Sequence, residues 1–441
     1  MQNRDKNYLF LIAAHLLIGV LIYLVPVFAK VYGYSIILIG ILFVIKKRNK
    51  NNEVLYASAY IIGSEVLLRM TDGNPVYEFS KYGVMIFIIM GIFYSGFSKY
   101  SVPYWIYILL LVPGILMATH ELNLQTEIRK TIAFNIAGPI CLGLASMYTY
   151  NRKISYDELN NILLMIGLPV VSCAMYLMLY TPNIKEVLTG TGSNTELSGG
   201  FGPNQVSTVL GLGMFVFFSR ILLVSKSKLI FIANLGVALL ISYRGLVTFS
   251  RGGMLTGLIM IFFLLYFIYI NSKSQGKLKL FYFFGFLFVV FLLVWSYTSF
   301  QTGGLIEKRY ANKDAQGRVK ESQLTGREDI AAQEFDIFLN HPFFGAGVAR
   351  ATEIRTGING FRSLSHNEIS RLMSEHGALG ILALLVLFIT PMILYLDNKQ
   401  NIYIFCFLFF WLLTINHAAM RIAAPAFVYS LALLKVQFNE D

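Results

Sequence analysis

An all-α integral membrane protein is the fold class this sequence predicts: a polytopic bundle of about 12–14 transmembrane helices with one large helical loop outside. Three observations carry that expectation. Hydrophobic residues make up 56% of the 441 positions and charged residues only 14%, outside the usual composition of a water-soluble chain. Apolar runs of roughly 15 to 22 residues recur from end to end, the length a helix needs to cross about 30 Å of hydrocarbon. The short basic loops all fall on one side of a single alternating topology, the bias that orients a membrane protein.

Taken in order, the runs begin near Leu9, Ser35, Val54, Tyr82, Pro103, Thr131, Asn161, Asn204, Leu229, Met254, Leu280, Gly377, Ile402 and Ile422. The first has no small-residue cleavage site and is followed at once by another apolar run, so it is expected to stay as a helix. Placing Arg4 and Lys6 in the cytoplasm puts Lys46-Lys47-Arg48, Arg152-Lys153, Lys226, Lys228, Lys273, Lys277 and Lys279 on that side. Both termini are then cytoplasmic. The expected organisation is a transmembrane bundle over residues 1–299, an external loop with helices carrying the site over 300–376, and C-terminal transmembrane helices over 377–441.

The net charge of +12 does not imply a nucleic-acid partner, because no basic tract is interleaved with aromatic platforms. Membrane lipids are the expected surroundings. Cys141, Cys173 and Cys406 all sit inside apolar runs, so they read as packing residues. No metal is expected: His341, His366 and His376 have no ligand-like spacing, and no Asp-x-Asp pair or phosphate-cradling glycine loop stands before a soluble helix.

In this topology most lysines face the cytoplasm, whereas most arginines lie outside or at the outer membrane boundary. Positive charge alone would set topology. A planar guanidinium is the better choice where phosphate or carboxylate is gripped bidentately, so an anionic ligand outside is one reading. Pairing with loop acids such as Glu334, Glu353, Glu368 and Glu375 is the other.

Within the loop, Thr325 and Glu328 form a capping box that predicts a helix to about Leu339, stopped by Asn340-His341-Pro342. On that helix Arg327 shares a side with Ile330, Ala331 and Phe338, which directs it away from water. Ser365 and Glu368 form a second capping box, whose helix either continues into the crossing at Gly377 or breaks just before it. His366 would then lie in the first turn, where the helix dipole favours a neutral ring able to act as a general base; an ordinary surface histidine is the alternative. Glu368 and Glu375 bracket Arg371 at i+3 and i+4, a scaffold. Arg244 and Arg251 stand two helical turns apart and would share a face on a continuous helix. A charge at helix centre costs roughly 2.5–3.5 kcal/mol on insertion scales, so each needs a ligand, a snorkelling path or an internal carboxylate.

Ser250-Arg-Gly-Gly253, Thr325-Gly-Arg327, Asn340-His-Pro-Phe-Phe-Gly-Ala-Gly347 and Ser365-His-Asn-Glu with Glu375-His-Gly-Ala-Leu-Gly380 together resemble the O-antigen ligase and polymerase superfamily. Phe201-Gly-Pro-Asn204 before a crossing resembles a further family feature and makes Asn204 a candidate substrate contact. The resemblance implies transfer of a glycan from an undecaprenyl diphosphate-linked donor to an acceptor hydroxyl, on a lipid A core or a growing glycan, at the outer face of the cytoplasmic membrane and without a cofactor. It implies catalytic roles for Arg251, Arg327 and His366: the arginines neutralise the diphosphate and the histidine deprotonates the hydroxyl. Arg244 and Arg421 lie outside the motifs and are further candidate contacts for substrate or lipid. A transporter of anions or lipid-linked sugars is the reading from another class, but it calls for charges at the membrane midplane and broken helices in related halves.

Overall fold

The computed structural model describes residues 3–123, 127–320, 327–360 and 364–437. Each of the fourteen apolar runs forms a helix. Among the described residues ten helices are long and apolar enough to cross a membrane, and Phe79–Ser95 and Ile404–His417 are shorter apolar helices. The run at Ile422 yields only the eight-residue helix Ala424–Leu431, about 12 Å long at 1.5 Å per residue and too short to cross by itself. The chain is an all-α polytopic membrane protein, and the 28-residue helix Ser274–Gln301 shows why lipid must solvate it: of its side chains only Leu280 and Thr298 are buried. Phe281, Phe288 and Leu293 stand more than half exposed, which water would penalise and acyl chains do not.

The chain forms two compact units. One comprises Met1–Leu42, Ala59–Tyr77 and Asp157–Glu321; the other comprises Phe43–Ser58, Glu78–Tyr156 and Ser322–Asp441. In the first unit helix Pro203–Leu223 packs against Lys228–Val247 and Arg251–Asn271. Small residues set the approach to Arg251–Asn271: a Cβ on Gly211 would lie 2.2 Å from the Gly253 carbonyl oxygen, and one on Gly253 would lie 2.2 Å from the Ser207 carbonyl carbon. Backbones this close exclude any side chain at the seam.

In the second unit helix Val102–Glu121 packs against Glu368–Asp397, and Ile128–Thr149 against Ala424–Leu431. The hydroxyls of Tyr104 and Tyr429 meet at 2.9 Å, and Tyr429 also donates to the Leu387 carbonyl at 2.6 Å, so buried phenols are satisfied inside the apolar packing. Strands Lys153–Ser155 and Lys435–Gln437 pair in parallel and tie the C-terminal segment down.

Candidate functional site

The sequence-predicted residues divide between the two units: Asn204, Arg244 and Arg251 belong to the first, and Arg327, His366 and Arg421 to the second.

In the first unit, helix Lys228–Val247 ends before Phe249, which takes φ +57°, and a new helix starts at Arg251. The expected shared face of Arg244 and Arg251 is therefore not realised, because the left-handed residue turns the chain between them. Arg244, 1% exposed, donates from Nη1 to the Thr181 carbonyl (3.4 Å) and from Nη2 to the Leu197 carbonyl (3.3 Å). It clamps two points of the segment between helices Tyr156–Tyr180 and Pro203–Leu223.

Ser250 stands at the N-cap position but turns its hydroxyl to Asn204, donating to Oδ1 at 2.8 Å while accepting from Ser207 at 3.0 Å. The glycine seam thus brings Asn204 beside the start of the Arg251 helix, where the positive end of the helix and the guanidinium add their potentials. Arg309 completes this corner. Its Nε donates to the Phe249 carbonyl (2.9 Å), its Nη2 to Ser193 Oγ (3.1 Å), and its own carbonyl accepts from Arg251 Nη1 (3.4 Å). Partial burial and the charges of Arg309 and Arg251 hold the Lys320 ammonium below its ordinary pKa. A cationic corner of this kind is suited to an anion.

In the second unit, helix Arg327–Asn340 ends at the expected Asn340. Thr325 of the expected capping box lies outside the described residues. Arg327 is partly buried, on the side that carries Glu334 and Ile337 inward. Glu334 is fully buried and accepts from Arg355 Nη1 (2.6 Å), Ser365 Oγ (3.1 Å) and Ser370 Oγ (2.5 Å). Burial pushes its pKa up against the opposing pull of Arg355. The sequence had marked Glu334 only as a possible arginine partner; its place two turns after Arg327 on one face was the available signal for more.

His366 departs from expectation in its setting. The helix begins at Glu368, and Asn367, not Ser365, caps it by accepting from the N–H groups of Ile369 (2.9 Å) and Ser370 (3.4 Å). Asn367 wins because its short carboxamide reaches two of the orphan N–H groups, whereas Ser365 is engaged by Glu334. His366 therefore precedes the helix and owes its neutrality to other causes: burial first, then the charges of Arg421 and Arg327 and the neighbouring His417, together pushing its pKa down to about 4. Its Nδ1 is enclosed without a hydrogen-bond partner among the described residues. The backbone around it is pinned: the His366 carbonyl accepts from Ala419 N (3.1 Å), and the Ser365 carbonyl accepts from Arg421 Nη2 (2.6 Å). His366, Arg327 and Arg421 are brought together, and a neutral imidazole beside two cations can take a proton from a hydroxyl.

Below this group the sequence motifs lock onto one another. Gly377, φ +61°, breaks helix Glu368–Asp397, so the break falls at the crossing itself. Into the break fits Pro342–Gly347: Ala346 N donates to the Ser374 carbonyl (2.9 Å), Gly347 N to that of Glu375 (3.1 Å), and Ala378 N to that of Pro342 (2.7 Å). Arg371 bonds Glu368 and, at 2.8 Å, Glu375, as the spacing indicates, and Glu375 also accepts from Ala349 N at 2.9 Å.

Residues 235–385 match the family model described as O-Antigen ligase. The match covers this segment and supports the O-antigen ligase superfamily for it. The O-antigen ligase segment takes in Arg244, Arg251, Arg327 and His366 and supports a ligase- or polymerase-like membrane enzyme acting on lipid-linked glycans; Asn204 and Arg421 fall outside it. No curated protein matches the chain.

Proposed function

We propose that this chain is a multi-pass glycosyltransferase of the bacterial cytoplasmic membrane, moving a glycan from undecaprenyl diphosphate to an acceptor hydroxyl at the outer face. The observation that carries this reading is His366: a histidine kept neutral between Arg327 and Arg421, within a segment of the O-antigen ligase superfamily. In the proposed step the acceptor oxygen attacks the anomeric carbon, the bond from that carbon to the diphosphate oxygen breaks, and the hydroxyl proton passes to His366. Attack from the side opposite the leaving group inverts the anomeric centre. Arg251 and Arg327 neutralise the departing diphosphate, whose charge grows as the bond breaks. Asn204 and Arg421 contribute as substrate contacts, and Arg244 acts through the outer loop it clamps. Catalysis needs no metal or cofactor. Both termini face the cytoplasm, a topology supported by the short lysine-rich loops.

Deletion of the gene in its host, followed by gel separation of the host's glycans, tests the reading and its ligase-like form. Bare acceptor together with accumulated lipid-linked polymer is the expected pattern. Single repeats left on the acceptor would make the chain a repeat-unit polymerase instead. An unchanged acceptor with a lipid-linked intermediate held on the inner leaflet would replace transfer by transport.

A further inference from the structure

Between Arg327 and Gly345, in the second unit, four large apolar side chains stand exposed: Phe335, Leu339, Phe343 and Phe344. The first two lie four residues apart, on one face of helix Arg327–Asn340. The inward side of that helix is taken up, because Glu334 bonds Ser365 and Ser370, and Ile337 packs with Ala346 and Ala351. Half-buried Phe338 leans on Phe335, ring centres 6.1 Å apart, and widens the apolar stripe. Phe343 and Phe344, 74% and 56% exposed, follow just past the helix end. In water these side chains carry a cost that lipid removes.

Hydrogen bonds fix the height of these side chains above the crossing that starts at Gly377. Glu334 accepts from Ser370 Oγ at 2.5 Å and the Pro342 carbonyl accepts from Ala378 N at 2.7 Å. Both chains advance by the same number of residues between those contacts, so they descend side by side. A Cβ on Gly377 would lie 2.6 Å from the Phe343 carbonyl carbon, which puts Phe343 and Phe344 at the head of the crossing. At 1.5 Å per residue Leu339 stands about 5 Å above that level and Phe335 about 10 Å. The headgroup layer is roughly 5–8 Å deep on each side of a bilayer, so it takes in the first three side chains and ends near Phe335. Below them Leu382, Leu385 and Ile389 are exposed on the crossing, where acyl chains cover them.

We infer that Leu339, Phe343 and Phe344 form a membrane-contacting surface of the external segment, seated among the headgroups and upper acyl chains of the nearer leaflet, with Phe335 at its rim. Asp336 and Asn340, exposed on the flank, meet headgroups and water. Lipid holds this side of the helix at a set depth, while Glu334 on the inward side holds the serines that stand before and after His366. The surface does not depend on the glycosyl-transfer reading. Phe335→Cys, Leu339→Cys, Phe343→Cys and Phe344→Cys, made singly in the full chain, carry a nitroxide label in nanodiscs of phosphatidylethanolamine and phosphatidylglycerol; the native cysteines are all buried. Leu382→Cys on the crossing and Gln316→Cys in the exposed loop are the lipid and water references. Collision rates are read with oxygen, which concentrates in lipid, and with a neutral nickel chelate, which stays in water. The oxygen-to-nickel ratio for Phe343→Cys and Phe344→Cys should exceed that for Gln316→Cys by about fivefold or more, because hydrocarbon excludes a polar chelate. Leu339→Cys should fall between them, and Phe335→Cys near the water reference. A ratio for Phe343→Cys and Phe344→Cys equal to the water reference would put the turn in water and overturn the inference. Low collision with both reagents would show that protein covers the turn, a second copy or another chain, and would overturn it equally.

Discussion

In the proposed reaction His366 takes a proton and Arg251 meets an anion, and different neighbours surround each. The pKa of His366 lies near 4 because burial and two cations oppose its charge, so the basic form is present at neutral pH and is lost only as pH falls through about 4. The kcat/KM profile should therefore have its acid limb near 4, well below the 6.5 of a free imidazole, and His366→Ala should lower kcat by about 10²–10⁴-fold. Nothing in the sequence singled out Arg309. Three hydrogen bonds make it a positioning residue for Arg251, so Arg309→Lys, which keeps the charge but loses the fork, should lower kcat about tenfold or more with little change in acceptor KM. Its role was illegible in the sequence because Arg309 lies far along the chain from Ser193 and from Phe249 and Arg251, and two of the three contacts run through backbone carbonyls, which leave no mark in residue type.

At the scale of elements, capping and breaking were legible to within a residue or two, and the errors have physical reasons. Asn367 takes the cap that Ser365 was expected to hold, since Glu334 claims the serine hydroxyl. The Gly377 break was legible as one of two options, because a glycine ahead of an apolar run can either continue a helix or end it. Packing chooses: a Cβ at Gly377 would stand 2.6 Å from Gly345 N, in a left-handed conformation besides. Gly377→Ala should thus destabilise the protein by about 1–3 kcal/mol from backbone strain, with more from the clash, seen as a lowered midpoint in thermal unfolding of the detergent-solubilised chain. Glu334→Ala leaves the fully buried Arg355 without its carboxylate and should cost about 3–5 kcal/mol in the same measurement. Glu334→Gln, which keeps the serine contacts, should fall between it and wild type.

For the molecule as a whole, the membrane-spanning character was legible at once, because apolar length is a local property of sequence. The division into two units was not: it cuts the long loop at residue 321, so that Arg309 and Lys320 go with one unit and Arg327 and His366 with the other. Contacts between distant segments decide that, and hydropathy does not record them. The orientation makes a separate prediction. Alkaline phosphatase fused near Gln316 should be active, and the same reporter fused in the Lys46–Lys50 loop inactive; the reverse pattern would invert the topology.

The central claim is a transfer reaction with His366 as base and Arg251 and Arg327 as the diphosphate clamp. Purified protein, lipid-linked glycan extracted from a host lacking this gene, and acceptor, mixed in the presence of EDTA, test it most directly when wild type is compared with His366→Ala, Arg251→Ala and Arg327→Ala. The predicted result is product from wild type and a loss of about 10²-fold or more in each folded variant. An equally active His366→Ala would contradict the base assignment, and undiminished transfer by both arginine variants would contradict the clamp.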